Sequence, residues 1–207
     1  MKPLLATLEK ALWAIGGLLI LVHIVARADS AVGSRLALAS AAETIDPQYQ
    51  PSYRFWSHER IEAYRASVRQ DTGPLVGTLQ IPALDLLVPL YSNTDELHLN
   101  RGVGVIEGMS MPGEGGNLGI AGHRDGFFRV LRDIRKGERV EVRTAARRYV
   151  YEISAVSIVD ASDATLLAPT REPSLTLVTC YPFYYVGPAP RRFVVRGVLI
   201  SSQGASS

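Results

Sequence analysis

Tyr149-Val150-Tyr151-Glu152-Ile153-Ser154-Ala155-Val156-Ser157-Ile158 puts Tyr149, Tyr151, Ile153, Ala155 and Ser157 on one side of an extended chain. Val150, Glu152, Ser154 and Val156 fall on the other side. Successive side chains of a strand point to opposite faces, and β-branched and aromatic residues suit a pleated surface, so this stretch predicts a strand. Similar short runs surround it, at 76–81 and 84–91 (split by Pro82), 102–106, 118–121, 139–143, 175–179 and 192–200. Glycine and proline separate them, which marks turns. Seven or eight such strands predict a mainly β domain that closes, or nearly closes, into a barrel. Helical pieces within it are few and short, at 94–99 and 128–134.

Upstream of the turn signal Thr72-Gly73-Pro74 the text differs. Residues 11–26 are apolar apart from His23, and Met1, Lys2 and Lys10 give a positive front end. A bilayer needs about 20 apolar residues, and Pro3, Leu4, Leu5 and Leu8 extend the run while Lys10 can snorkel. Residues 1–28 therefore read as an amino-terminal membrane helix with its start inside, although Ala26-Arg27-Ala28 also offers a small-x-small cleavage site. Residues 29–72 form a membrane-proximal helical stalk, with helices expected at 34–43 and 56–70. In the second of these Trp56, Ile61, Tyr64 and Val68 recur at helical spacing. Residues 73–200 are the barrel, and the small polar tail 201–207 is expected to be disordered.

The chain has 207 residues, 47% of them apolar and 20% charged, with a net charge of +2. That composition suits one cored domain plus an appendage and provides no basic field for nucleic acid. One cysteine can build neither an internal disulfide nor a zinc-finger cluster, and no acidic cluster argues for calcium. No metal and no cofactor are expected.

The lone Cys180 reads as either a small buried hydrophobe or a nucleophile. It ends the apolar run Thr176-Leu177-Val178-Thr179-Cys180, and Pro182 follows, so the thiol sits where a strand meets a loop. A free thiol, with a pKa of ~8.5, needs a nearby base or positive field, and attack on an amide carbonyl needs a donor for the oxyanion. Histidine meets the first need and arginine the second. His123 ends another short apolar run, Gly119-Ile120-Ala121-Gly122-His123. Arg191 and Arg192 open the last strand, where alternation places Arg192 with Val194 and Arg196, and Arg191 with Phe193 and Val195. The alternative for that pair is two solvated edge arginines.

Thr176-Leu177-Val178-Thr179-Cys180 resembles the sortase signature TLxTC. Gly119 to Arg124 resembles the stretch around the sortase histidine, and Arg192-Phe193-Val194-Val195-Arg196-Gly197 the closing strand that carries its arginine. The three occur in the family's order, and the compact cysteine-to-arginine loop is most similar to class D or the Gram-negative group. The resemblance implies a sortase-like barrel acting as a cysteine transpeptidase. It would cleave an LPxTG-like sorting signal, hold the acyl part as a thioester and pass it to an amine acceptor. It further implies catalytic roles for His123, Cys180 and Arg192, and substrate contacts from Thr179, Val178 and Tyr181. The membrane partner and the positive flank imply a single-pass enzyme of the cell membrane with its catalytic domain outside the cytoplasm, periplasmic in a Gram-negative cell. A rival cysteine acyltransferase family, the L,D-transpeptidases, carries glycine before its cysteine and arginine two residues after, where this chain has Thr179 and Pro182. A non-enzymatic tethered barrel with Cys180 in its core is the reading from another class.

Overall fold

The computed structural model describes residues 51–73, 75–184 and 187–204. The expected membrane helix 1–28 and the helix at 34–43 lie outside these residues. No helix among the described residues is long and apolar enough to cross a membrane.

Eight strands close into a barrel in the order β1-β2-β3-β4-β7-β8-β6-β5. They are β1 (Gly77–Ile81), β2 (Leu86–Tyr91), β3 (Val103–Val105), β4 (Asn117–Ala121), β5 (Arg139–Arg143), β6 (Arg147–Asp160), β7 (Ser174–Tyr181) and β8 (Arg191–Gly204). Most neighbours are antiparallel, but β2 with β3 and β4 with β7 run parallel. Closure leaves the barrel wall no free edge, and the period of two fills its interior. Leu79 and Ile81 of β1, Leu86, Val88 and Leu90 of β2, and Leu118 and Ile120 of β4 all face inward. Tyr149, Tyr151 and Ile153 of β6 complete the same core with Leu175 and Leu177 of β7 and Phe193 and Val195 of β8.

The β6 alternation holds for Tyr149, Tyr151 and Ile153, then breaks at a register shift between Ile153 and Ala155. β5 pairs with β6 only as far as Glu152, so beyond that point β6 and β8 continue as a two-stranded ribbon. Val156 and Ile158 are exposed there because no further strand covers them. At the other end, Ser201–Gly204 prolong β8 against Arg147–Val150 instead of forming a loose tail. Small polar residues serve there because the ladder is made by backbone groups.

Among the described residues two α-helices accompany the barrel. α1 (His58–Ser67) begins where the Ser57 hydroxyl accepts from the Arg60 amide at 3.1 Å, with Glu59 in its first turn and Arg65 in its last. These are the charge signs that the helix dipole favours. Trp56 and Tyr64 lie against Phe127, with ring centroids 4.8 and 6.2 Å away, so this stalk helix docks on the barrel. α2 (Glu96–Arg101) is capped by Asp95, whose carboxylate accepts from the His98 amide at 2.9 Å. The expected helix at 128–134 is a tighter 3-10 stretch over Phe127–Asp133 that buries Phe127, Phe128 and Leu131.

Candidate active site

The candidate site forms where β4, β7 and β8 lie side by side. Cys180 is the direct cross-strand partner of Arg192, as Val178 is of Val194 and Thr176 of Arg196. All six lie on the outer surface, because their neighbours Leu175, Leu177, Phe193 and Val195 fill the core. On the other flank β4 runs parallel to β7, with Ile120 beside Leu177 and Ala121 beside Val178. The next amide keeps that register, since Gly122 N–H donates to the Val178 carbonyl at 3.3 Å. The Thr179 hydroxyl donates to the Gly122 carbonyl at 2.7 Å. His123 follows in the turn, two residues past Ala121, as Cys180 stands two residues past Val178. Sulfur and guanidinium stem from the neighbouring strands β7 and β8, about 4.8 Å apart, and the imidazole from the turn that follows β4, the strand on the other side of β7.

The turn after β4 is held from several sides. His123's carbonyl accepts from the amides of Gly126 and Phe128, at 3.2 and 3.3 Å. The Phe128 ring lies so close to Gly122 that a Cβ there would come within 2.8 Å of it. Glycine precedes the histidine because the ring occupies that space. The histidine Nε2 is shut off from solvent and lies 3.4 Å from Glu96 Oε1. Burial, reinforced by the Arg60 guanidinium, lowers the imidazole below the usual histidine range. Glu96 and Asp125 pull the other way without prevailing. Neutral imidazole is therefore its resting form at neutral pH.

Arg192 is half-buried, and its Nη1 donates to the carbonyls of Ala189 and Arg191, both at 3.1 Å. The guanidinium rests on the β7–β8 loop. Arg124 ties that loop to the histidine turn, its guanidinium donating to the carbonyls of Pro182 at 3.3 Å and Gly187 at 2.9 Å. Arg191 takes the opposite face, its guanidinium 5.3 Å from the centre of the Tyr181 ring.

Not all the residues expected to touch substrate share the surface of Cys180. Val178 does, and it is nearly covered. Val194 beside it is fully buried although it faces away from the core, so this outer floor is itself roofed. Met109 and Ile106 lie over Gly119, and Leu166 is buried in the β6–β7 loop, which Arg196 tethers through the Thr165 carbonyl at 3.0 Å. Thr179 and Tyr181 alternate onto the inner face. Thr179 is buried with its hydroxyl committed to Gly122, and Tyr181 packs with Phe183 and Phe193 in an aromatic plug at the barrel mouth. The strand period that sets Cys180 outward turns both of its neighbours inward. Glu96, Asp125 and Arg60 around the imidazole carry no spacing signal in the sequence, since they come from three separate segments.

Residues 79–200 match the family model described as the sortase domain. The chain is similar to sortase D of Bacillus subtilis (strain 168), with 36% identity over 134 residues that cover 64% of this chain and 68% of that protein. Among solved structures it resembles a Clostridium perfringens sortase D5 transpeptidase with a TM-score of 0.59 and 22% identity, over 81% of this chain and 98% of the other. It also resembles the catalytic domain of B. anthracis SrtD, with a TM-score of 0.54 and 34% identity, over 64% of this chain and 91% of that one. With a closed eight-stranded barrel and a family match across most of it, the chain belongs to the sortase family of cysteine transpeptidases.

Proposed function

We propose that this enzyme cleaves an LPxTG-like sorting signal of another protein and transfers the acyl part to an amine through Cys180, His123 and Arg192. The observation that carries the reading is the strand register, in which Cys180 pairs with Arg192 on one side, while on the other β7 runs beside β4, whose last residue Ala121 lies beside Val178, two residues before each of His123 and Cys180. Neutral His123 takes the thiol proton as Cys180 attacks the carbonyl carbon between threonine and glycine. Arg192 leaves its loop carbonyls and donates to the oxygen as negative charge builds there, the step at which an oxyanion donor contributes most. The C–N bond breaks, the imidazolium gives its proton to the departing amine, and a thioester remains on Cys180. An incoming amine then attacks the thioester, loses its proton to His123 and releases the sulfur as thiol.

The outer floor at Val178 supports an apolar seat for the leucine and proline of the signal. Thr179 acts at one remove, by holding Gly122 and so the height of His123 beside the sulfur. The apolar stretch 11–26 with its positive flank supports a single-pass membrane anchor, with the barrel on the outer side.

Mass spectrometry of the purified chain with sorting-signal peptides tests the reading. The expected result is an acyl adduct on Cys180, lost in Cys180→Ala and discharged by added amine. An adduct that never forms, with folded protein and a range of LPxTG-like peptides, overturns it.

A further inference from the structure

Arg60 stands in the first turn of α1, before the stretch that matches the family model. Its side chain is only 15% exposed, and its polar atoms meet oxygens from two other segments. Nε donates to Asp125 Oδ1 at 3.2 Å, while Nη1 donates to Asn100 Oδ1 of α2 and lies 3.6 Å from Glu96 Oε1. That same Glu96 oxygen lies 3.4 Å from His123 Nε2. One carboxylate oxygen thus stands between the guanidinium and the imidazole. Asp125 belongs to the turn that follows His123, and the Arg60 methylenes and the His123 Cβ lie against the same side of Gly126, each about 3.5 Å from where a Cβ would stand. Docking α1 does not depend on this fork, because Trp56 and Tyr64 already pack against Phe127. Such a set of contacts orients whatever shares its acceptors.

We propose that Arg60 is a positioning residue for His123, fixing Glu96 and Asp125 around the imidazole, so that the stalk helix forms part of the active site. Its effect on turnover rests on the acid–base reading of His123, whereas its effect on the imidazole does not. Charged and titratable groups face or adjoin His123 from every neighbouring element. Arg60 does so from α1, Glu96 from α2 and Asp125 from its own turn. Arg60 opposes the imidazolium, while the two carboxylates favour it. Removing the arginine leaves both carboxylates uncompensated, so the imidazole then titrates at higher pH. Removing the Glu96 charge moves it lower.

The test is an NMR titration of the His123 ring in the solubilised full chain, assigned by its loss in His123→Gln, alongside steady-state transpeptidation. Arg60→Met is expected to shift the titration upward and to lower kcat about 10- to 100-fold, with KM changed less than about threefold. Glu96→Gln is expected to shift the titration downward. Arg60→Lys keeps the charge without the fork, so it restores the titration toward wild type and kcat only in part. Should Arg60→Met not fold, Glu96→Gln and Arg60→Lys carry the same comparison. A ring that titrates identically in wild type and the folded variants overturns the proposal and leaves Arg60 a helix brace. A shifted titration combined with wild-type turnover in His123→Gln upholds the coupling and overturns the acid–base reading instead.

Discussion

Cys180 and Arg192 are cross-strand partners, while the adjacent Arg191 turns toward Tyr181 on the inner side. Two neighbouring arginines of the same strand are thus given different work by the pleat. Arg192→Ala is expected to lower kcat/KM by about 10²- to 10³-fold, the usual cost of an oxyanion donor, and Arg191→Ala by far less. Steady-state rates with a sorting-signal peptide check both, and a more sensitive Arg191 would reverse the assignment. Thr179 yields a different signature. Its buried hydroxyl donates to Gly122, so Thr179→Val leaves that carbonyl short of a donor and is expected to cost about 1–3 kcal/mol in stability. Thr179→Ser keeps the bond and is expected to retain most of the activity, which denaturant unfolding and rate measurements together would establish.

At the level of elements, the turn after β4 and the helix α1 hold the imidazole between them. Gly122→Ala drives a methyl to within 2.8 Å of the Phe128 ring, in the segment that sets the position of His123. The expected outcome is a drop in kcat larger than the loss of stability implies, read by comparing rates with urea midpoints. Ser57→Ala removes the N-cap of α1 and is expected to cost about 1 kcal/mol, seen as a lower midpoint. The strands were legible because core positions recur every second residue, as Tyr149, Tyr151 and Ile153 show. Their ends were less so. Ser201–Gly204 carry no apolar pattern, yet they pair because backbone groups on β6 remain available. The substrate contacts expected of Thr179 and Tyr181 rest on the family resemblance, whereas alternation along β7 sets both on the face opposite Cys180. The company kept by His123 was not legible at all, since Arg60, Glu96 and Asp125 meet only through the docking of two helices.

Across the whole molecule, pH acts through groups whose protonation differs between folded and unfolded chains. Hydrogen bonds from Arg148, then from Arg143, hold the Glu141 carboxyl below the usual carboxylate range despite its burial. A depressed acid stabilises the fold above its unfolded pKa, and that stability is lost as pH falls through the folded value. His123 is depressed as well, so its unfolded form binds protons more readily, and its share declines as pH drops below about 6.5. Denaturation from pH 7 to pH 3 is therefore expected to show stability falling in two stages. Glu141→Gln is expected to weaken the lower stage and to cost about 1 kcal/mol at neutral pH, a modest value because both arginines are well exposed. A single flat profile across that span would contradict both assignments.

The strand carrying the sulfur is laddered to a neighbour on each side, β4 and β8. A nucleophile mounted this way cannot swing between two stations, so donor and acceptor must visit one fixed point in turn. The released fragment has to vacate before the amine can enter, and the two compete for the same berth. Double-reciprocal plots at several amine concentrations should accordingly run parallel, with the departing peptide inhibiting in competition with the amine.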